Sequence, residues 1–264
     1  MTPEAVTFEP SFEAPSFESP AFEAPSFEAV TFDFWNTLVV DDVAQVRDHR
    51  LTGWLGLLEG AGFAVQRAAL DAAHDSAWQA YQRAWRANEQ FTAARTAEHC
   101  LDHLGLTVPD DLREQLVIEL VRSAGGASLR LTEGVADALR AVKAAGLRLG
   151  IVCDVGLTPS EALRQHLDRF GVLELFDGWS FSDDVGCYKP APEIFAHAAA
   201  GLGHPNPSRT AHVGDLRRTD VAGARAAGWT SVRYAGAFDD QTDHPEADHV
   251  ITSYADLLGV LDLA

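Results

Sequence analysis

Thr31-Phe32-Asp33-Phe34-Trp35-Asn36-Thr37-Leu38-Val39-Val40 is a short apolar run that carries an aspartate and then a polar turn. It reads as a buried strand with a carboxylate at its C-terminal end, the edge where open α/β sheets gather their chemistry. A strand ending in Asp is common, so the stretch gains its meaning from three later segments. Cys153-Asp154, Lys189 and Gly214-Asp215 each come at or just beyond the end of another apolar run.

From Leu131 onward, apolar runs alternate with helical patterns. Strands are expected over residues 147–153, 179–182, 210–213, 230–234 and 249–251, with helices over 133–145, 158–170, 192–201 and 219–227. Thr158 is the expected N-cap of the second of these helices, with Pro159 at its first position and Glu161 three residues beyond the cap. Strands that alternate with helices imply right-handed crossovers. The expected fold class is therefore α/β: a Rossmann-like parallel sheet with helices on both faces.

Residues 41–129 show no strand pattern. Leu51, Trp54, Leu55 and Leu58 lie at helical spacing, as do Leu70, Ala73, Ala77, Ala80, Tyr81 and Ala84. Further helices are expected over 93–104 and 110–123, with Gly105, Pro109 and Gly125-Gly126 as punctuation. Trp54, Trp78, Tyr81 and Trp85 are expected in the core of this bundle. The chain thus divides into a core of residues 31–40 and 130–264 and an inserted helical subdomain of residues 41–129.

Residues 1–30 are a low-complexity tail built on a five-residue unit, Ser-Phe-Glu-Ala-Pro and its variants. Period five fits neither a helix face nor a strand face, and recurrent proline favours extended chain. The tail carries Glu but no Lys or Arg and is expected to be disordered. A docking peptide built on its Phe-Glu pairs is the functional alternative. Glu-Ala-Val-Thr-Phe occurs at residues 4–8 and again at 28–32, so the tail reads as tandem duplication of the start of the first strand.

The 264 residues are 47% apolar, enough for a sizeable core, and the formal net charge is −19. That charge argues against non-specific nucleic-acid or anionic-membrane binding, yet an anionic small molecule stays open where a cation reverses the local field. No apolar run is long enough to span a bilayer, and the acidic N-terminus lacks the apolar segment of a secretory signal. Cys100, Cys153 and Cys187 are far apart and lack metal-ligand spacing, which suggests reduced thiols and a cytoplasmic protein.

In a parallel sheet Asp33, Asp154, Lys189 and Asp215 would converge on one edge. Crowded carboxylates repel one another unless a cation sits among them. Oxygen ligands suit Mg²⁺, which keeps water positions open for phosphate oxygens. A carboxylate flanked by Mg²⁺ and Lys⁺ can attack phosphorus, because the cations offset its repulsion from the phosphate dianion. The residues thus point to metal-assisted phosphoryl transfer through an aspartyl intermediate.

Three motifs in order resemble those of the haloacid dehalogenase (HAD) superfamily. They are Phe32-Asp33-Phe34-Trp35-Asn36-Thr37-Leu38, the Lys189-Pro190 segment within residues 182–195, and His212-Val213-Gly214-Asp215 with Asp220 five residues on. The helical insert sits where that family carries its type C1 cap, and the resemblance covers about residues 30–255. It implies Asp33 as the nucleophile and Lys189 as the cation that neutralises it and a phosphate oxygen. It implies Mg²⁺ held by Asp33, the backbone carbonyl of Trp35 and Asp215, with Asp220 supporting directly or through water. Cys153 falls where Ser or Thr usually bonds the phosphoryl group, and Asn36 and Asp154 would add backbone donors. The implied substrate is a small phosphorylated metabolite.

Two residues depart from the family's phosphatase pattern. The position two beyond the nucleophile is usually an Asp that protonates the leaving group; here it is Trp35, which has no proton to transfer at neutral pH. Loss of such acid–base help typically costs about 10²–10⁴-fold. Cys153 is a weaker donor than Ser. Three readings stand: a Mg²⁺-dependent phosphatase, a catalytically weak or inactive domain with a binding role, and a 2-haloacid dehalogenase, whose halide needs no protonation to leave. Asp183 and Asp184 are expected as helix caps or solvated loop residues, and His212 as a packed core histidine. Arg217 and Arg218 are expected to face solvent or pair with carboxylates, one of them within reach of substrate. Cys187 reads as a small buried residue.

Overall fold

The computed structural model describes residues 26–122, 126 and 128–263. Strand β1 (Ala29–Phe32) is followed by the short β2 (Val39–Val40) and four helices: α1 (Val43–Gly60), α2 (Arg67–Arg86), α3 (Ala93–Leu104) and α4 (Asp110–Arg122). The chain returns through β3 (Arg130–Leu131) to α5 (Val135–Ala144), β4 (Arg148–Cys153), α6 (Ser160–Arg169) and β5 (Gly178–Phe181). Next come α7 (Ser182–Val185), α8 (Pro192–Gly201), β6 (Thr210–Gly214), a π-helical turn (Arg217–Val221) and α9 (Ala222–Ala226). Strands β7 (Thr230–Tyr234) and β8 (His249–Ile251) and helix α10 (Tyr254–Val260) complete the order.

Six strands form one sheet in the order β5-β4-β1-β6-β7-β8, and every pairing in it is parallel. The alternation of side chains along each strand dictates two helical layers. Val30, Phe32, Ile151, Cys153 and Val213 point to one face, where they meet Leu139 of α5, Leu163 of α6 and Leu257 of α10. Val152 points to the other face and meets Ile194 and Phe195 of α8 and Ala224 of α9. The α/β class with helices on both faces is therefore what the chain adopts. Phe32 pairs with Ile151 on one side and Val213 on the other, so Asp33, Cys153 and Asp215 leave the sheet at nearly one level.

The four helices of the insert lie between β2 and β3, which pair antiparallel as Val39 with Leu131 and Val40 with Arg130. Their common core contains Leu51, Trp54, Leu58, Leu70, Ala77, Leu101 and Leu116. Trp54 behaves as expected and donates its indole N–H to the Leu116 carbonyl at 2.9 Å. Trp85 departs from expectation: it lies at the end of α2 and reaches the sheet edge rather than the bundle core. Tyr81 packs with Phe91 and with Leu157 of the sheet domain, and Trp78 is exposed. The α2–α3 loop is tied to the same edge. Asn88 Oδ1 accepts from Tyr188 N at 2.7 Å, and Tyr188 Oη accepts from Phe91 N at 3.1 Å.

Three further local expectations need correction. Strand β1 starts at Ala29, inside the stretch expected as tail, because Ala29 and Val30 are apolar, fully buried and paired with Arg148, Leu149, Thr210 and Ala211. Most of the expected tail, residues 1–25, lies outside the described residues. Thr158 does not cap α6; the helix starts at Ser160, whose N–H donates to Asp183 Oδ2 at 2.9 Å. A carboxylate distant in sequence thus replaces the local cap and also complements the helix dipole. Finally, the helix expected from Thr219 begins earlier, with the π-helical turn at Arg217–Val221.

Candidate active site

Lys189 lies at the centre of the sheet edge. Its Nζ donates to Asp33 Oδ1 at 2.5 Å, Asp220 Oδ1 at 2.6 Å and the Val152 carbonyl at 3.0 Å, so all three ammonium protons are engaged. Both ion pairs are buried, with no side chain more than 8% exposed. Asp33, Asp215 and Asp220 each offer a ligand oxygen, and these oxygens lie within 4.8 Å of one another. If all are ionised, three carboxylates against one ammonium leave a net charge of −2 in a buried space.

The energetic strain of that arrangement shows in the proton affinities. Burial, reinforced by Asp220 and Asp154 against the opposing Lys189, pushes the Asp33 carboxyl up to about 7. Burial and the charges of Asp33 and Asp220 hold Asp215 well above the carboxylate range. Asp220 goes the other way: burial would raise it, but Lys189 and His212 outweigh burial and lower it. Lys189 stays charged because its carboxylate neighbours outweigh the cost of burying it. A site that must take up protons to relieve its own charge is suited to a divalent cation with oxygen preference.

Asp220 is held on every side. Its Oδ1 takes Lys189 and His212 Nε2 at 3.1 Å, and its Oδ2 accepts from Leu216 N at 2.9 Å and Thr219 Oγ1 at 3.3 Å. His212 in turn meets Thr31 Oγ1 at 2.8 Å through Nδ1, and burial keeps the ring neutral by lowering its pKa. This bonding pattern assigns the proton to Nε2, facing the carboxylate. The expectation of a packed core histidine holds, since Phe195 also packs edge-on against the ring at 5.4 Å. The polar link to Asp220 went unseen in the sequence, where Thr31, His212 and Asp220 carry no local signature of contact.

Asn36 adopts a left-handed backbone, φ 55°, which turns the chain directly after the strand. Its Nδ2 donates to Asp215 Oδ2 at 3.1 Å, so the side chain orients a carboxylate. Trp35 is half-buried and packs edge-on against Phe34 at 5.0 Å. Cys153 is wholly buried, and its thiol is pushed well above its usual value by burial, so it offers only a weak S–H donor.

Asp154 carries the least expected contact. Its Oδ2 accepts from Trp85 Nε1 at 2.7 Å and its Oδ1 from Lys189 N at 2.9 Å. The helical insert therefore reaches the chemistry through Trp85, and Arg218 stacks on the Trp85 ring at 3.8 Å. Only Lys189, Asp33, Asp215 and Asp220 form the central cluster; Asn36 and Asp154 brace it, and Trp35 and Cys153 flank it. Asp183 and Asp184 serve α6 from outside the cluster, the latter accepting from Ser160 Oγ and Arg164.

Comparison with known proteins supplies the family. A family model described as haloacid dehalogenase-like hydrolase matches residues 27–228, more than half of the chain. The chain is 35% identical over 136 residues to the human haloacid dehalogenase-like hydrolase domain-containing protein 3, covering 50% of this chain and 52% of that one. It is 32% identical over 124 residues to a glyceraldehyde 3-phosphate phosphatase of Methanocaldococcus jannaschii, covering 47% of this chain and 53% of that one. The chain thus spans about half the length of the curated relatives it matches. A 2-haloacid dehalogenase structure from Pseudomonas syringae pv. Tomato superimposes with a TM-score of 0.66 at 20% identity, over 89% of this chain and 98% of that one. At that identity the likeness speaks for the fold alone.

Proposed function

The chain belongs to the haloacid dehalogenase-like hydrolase family, and from that premise we propose that it is a Mg²⁺-dependent phosphatase acting on a small phosphorylated metabolite. The observation that carries the proposal is the buried Lys189 ammonium bridging Asp33 and Asp220 beside Asp215. Phosphatases among its relatives support the substrate class. The carboxylate set fits the ion: hard oxygens in a buried space with negative charge to spare. Asp33, Asp215 and the Trp35 carbonyl would hold Mg²⁺, with Asp220, whose oxygens are already bonded, supporting from behind. When bound, Mg²⁺ supplies charge neutralisation for the phosphate oxygens.

The chain's own residues do the rest. A carboxylate oxygen of Asp33 attacks phosphorus as the bond to the leaving oxygen breaks, forming an aspartyl phosphate. Water then attacks phosphorus, releases inorganic phosphate and regenerates Asp33. Lys189 balances the nucleophile's charge before attack and the phosphoryl charge after it. Cys153 and the backbone around Asn36 and Asp154 would bond the phosphoryl group. The helical insert, residues 41–129, would act as a cap that excludes water through Trp85 and the Asn88–Phe91 loop.

Trp35 shapes the substrate preference. With no acid at that position, turnover favours leaving groups that need little protonation, such as acyl or aryl phosphates. The same residue favours a second reading, a domain that binds phosphate but turns over slowly. A halide-releasing reaction is the third, and the carboxylate cluster around Asp215 speaks against it, since halide displacement needs no cation. Phosphate release from p-nitrophenyl phosphate and a metabolite set, with Mg²⁺ or EDTA, for wild type and Asp33→Asn, tests the proposal. Release that needs both Mg²⁺ and Asp33 supports it. Metal-independent chloride release from 2-chloropropionate would replace it, and binding without turnover would favour the second reading.

A further inference from the structure

Arg218 has no ion-pair partner among the described residues, in a chain with a formal charge of −19. Its guanidinium stacks on the Trp85 ring at 3.8 Å, and its Nη2 is buried yet has no hydrogen-bond partner among the described residues. An unbonded buried guanidinium donor costs free energy that a stack on indole only partly offsets. Two other guanidiniums of the same region have ion-pair partners, although the Arg217 Nε is likewise buried without a hydrogen-bond partner among the described residues. Arg217 pairs with Glu246 at 2.8 Å, and Arg233 pairs with Asp239 at 2.6 Å and Glu246 at 2.8 Å.

The carboxylates nearest Arg218 are hydrogen-bonded to other groups and form no ion pair with it among the described residues. Asp154 already accepts from Trp85 Nε1 and Lys189 N, and Asp220 from Lys189, His212, Leu216 N and Thr219. Trp85 therefore holds one edge of its ring on Asp154, at the phosphoryl end of the site, and one face on Arg218. The Arg218 guanidinium thus lies where the insert meets the sheet edge, in the turn that also carries Asp220.

We propose that Arg218, positioned by Trp85, binds a carboxylate on the substrate at the end away from the phosphoryl group. The inference rests on the phosphatase reading and narrows its substrate class to phosphorylated carboxylic acids. A guanidinium pairs with a planar carboxylate through parallel N–H bonds, and a monoanion suits a site with so many carboxylates better than a second phosphate dianion. The Trp85 stack limits the rotamers of the guanidinium before substrate arrives, which reduces the ordering cost of binding.

Two non-hydrolysable probes separate this inference from the reading beneath it. Phosphonoacetate carries the carboxylate and ethylphosphonate does not; both are titrated calorimetrically into the full chain with Mg²⁺. Wild type should bind phosphonoacetate at least about 10-fold more tightly, matching the net worth of a charged hydrogen bond. Arg218→Met should bring the two within about 2-fold while leaving ethylphosphonate unchanged, and Arg218→Lys should recover part of the preference. Equal binding of both probes by wild type, or equal weakening of both by Arg218→Met, overturns the assignment and leaves the phosphate site standing. Failure of wild type to bind even ethylphosphonate overturns both.

Discussion

The Lys189 ammonium lies 2.5 Å from Asp33 Oδ1 with both side chains buried, although the two residues are 156 positions apart. The pair does more than neutralise a nucleophile. It joins the end of β1 to the loop between α7 and α8 and, through Asp220, to the turn after β6, so three separate segments meet on one nitrogen.

Removing that nitrogen should be costly. Lys189→Met leaves Asp33 and Asp220 buried without their cation, and breaking a buried pair in this way costs about 3–5 kcal/mol. Urea denaturation should show that loss, and Mg²⁺ should restore part of it by replacing the missing positive charge. A variant as stable as wild type, with no response to Mg²⁺, would show that the carboxylates simply take up protons at no net cost.

Trp35 should govern leaving-group dependence. Wild type is expected to hydrolyse aryl phosphates far better than alkyl phosphates, because alkoxides need a proton to leave. Trp35→Asp should narrow the gap by raising alkyl phosphate turnover, up to about 10²-fold if the new carboxyl is well placed. Rates on a graded series of phosphate esters measure this. Unchanged or lower alkyl rates in the variant would sink the idea that the missing acid limits the enzyme.

Gly214 should resist substitution. A Cβ there would collide with the Asp220 carboxylate carbon, so Gly214→Ala must displace a group held by Lys189, His212 and Leu216 N. Overpacking of this kind costs about 1–3 kcal/mol. Thermal unfolding should show the loss, and phosphate release should fall with it. Native stability and activity would mean that Asp220 has room to move.

His74 gives the insert a pH dependence. It is buried in the bundle, and neither ring nitrogen has a hydrogen-bond partner among the described residues. Burial, then Arg50 and Arg47, lowers its pKa from 6.5 to about 4 against the weaker pull of Asp75 and Asp71. The folded state therefore binds the proton less readily than the unfolded chain. Its contribution is intact above pH 6.5 and is lost as pH falls towards 4, by at most roughly 1.4 kcal/mol per pH unit. In His74→Leu that part of the acid sensitivity should vanish. Equal acid sensitivity of variant and wild type would assign it elsewhere.

Much of the fold was legible because each strand of the core announces itself as an apolar run and ends in a polar residue. Asp33, Asp215 and Lys189 could be placed on one edge from that pattern alone. What stayed hidden were contacts across the chain. Nothing local to Trp85 says that the end of α2 turns towards Asp154 rather than into the bundle, since its apolar ring fits either place. The same holds for α6, whose cap is Asp183, 23 residues beyond Ser160. Thr158 had the right type and spacing for a cap, but a carboxylate brought near by the fold took the role.

The central claim is that Asp33 carries the phosphoryl group. Wild type is mixed with a radiolabelled aryl or acyl phosphate and Mg²⁺, quenched in acid within a single turnover, and digested for peptide mapping. The label should sit on the peptide containing Asp33, should be released by hydroxylamine as an acyl phosphate is, and should be absent from Asp33→Asn. Turnover without any labelled peptide, or a label that persists in Asp33→Asn, would contradict the account.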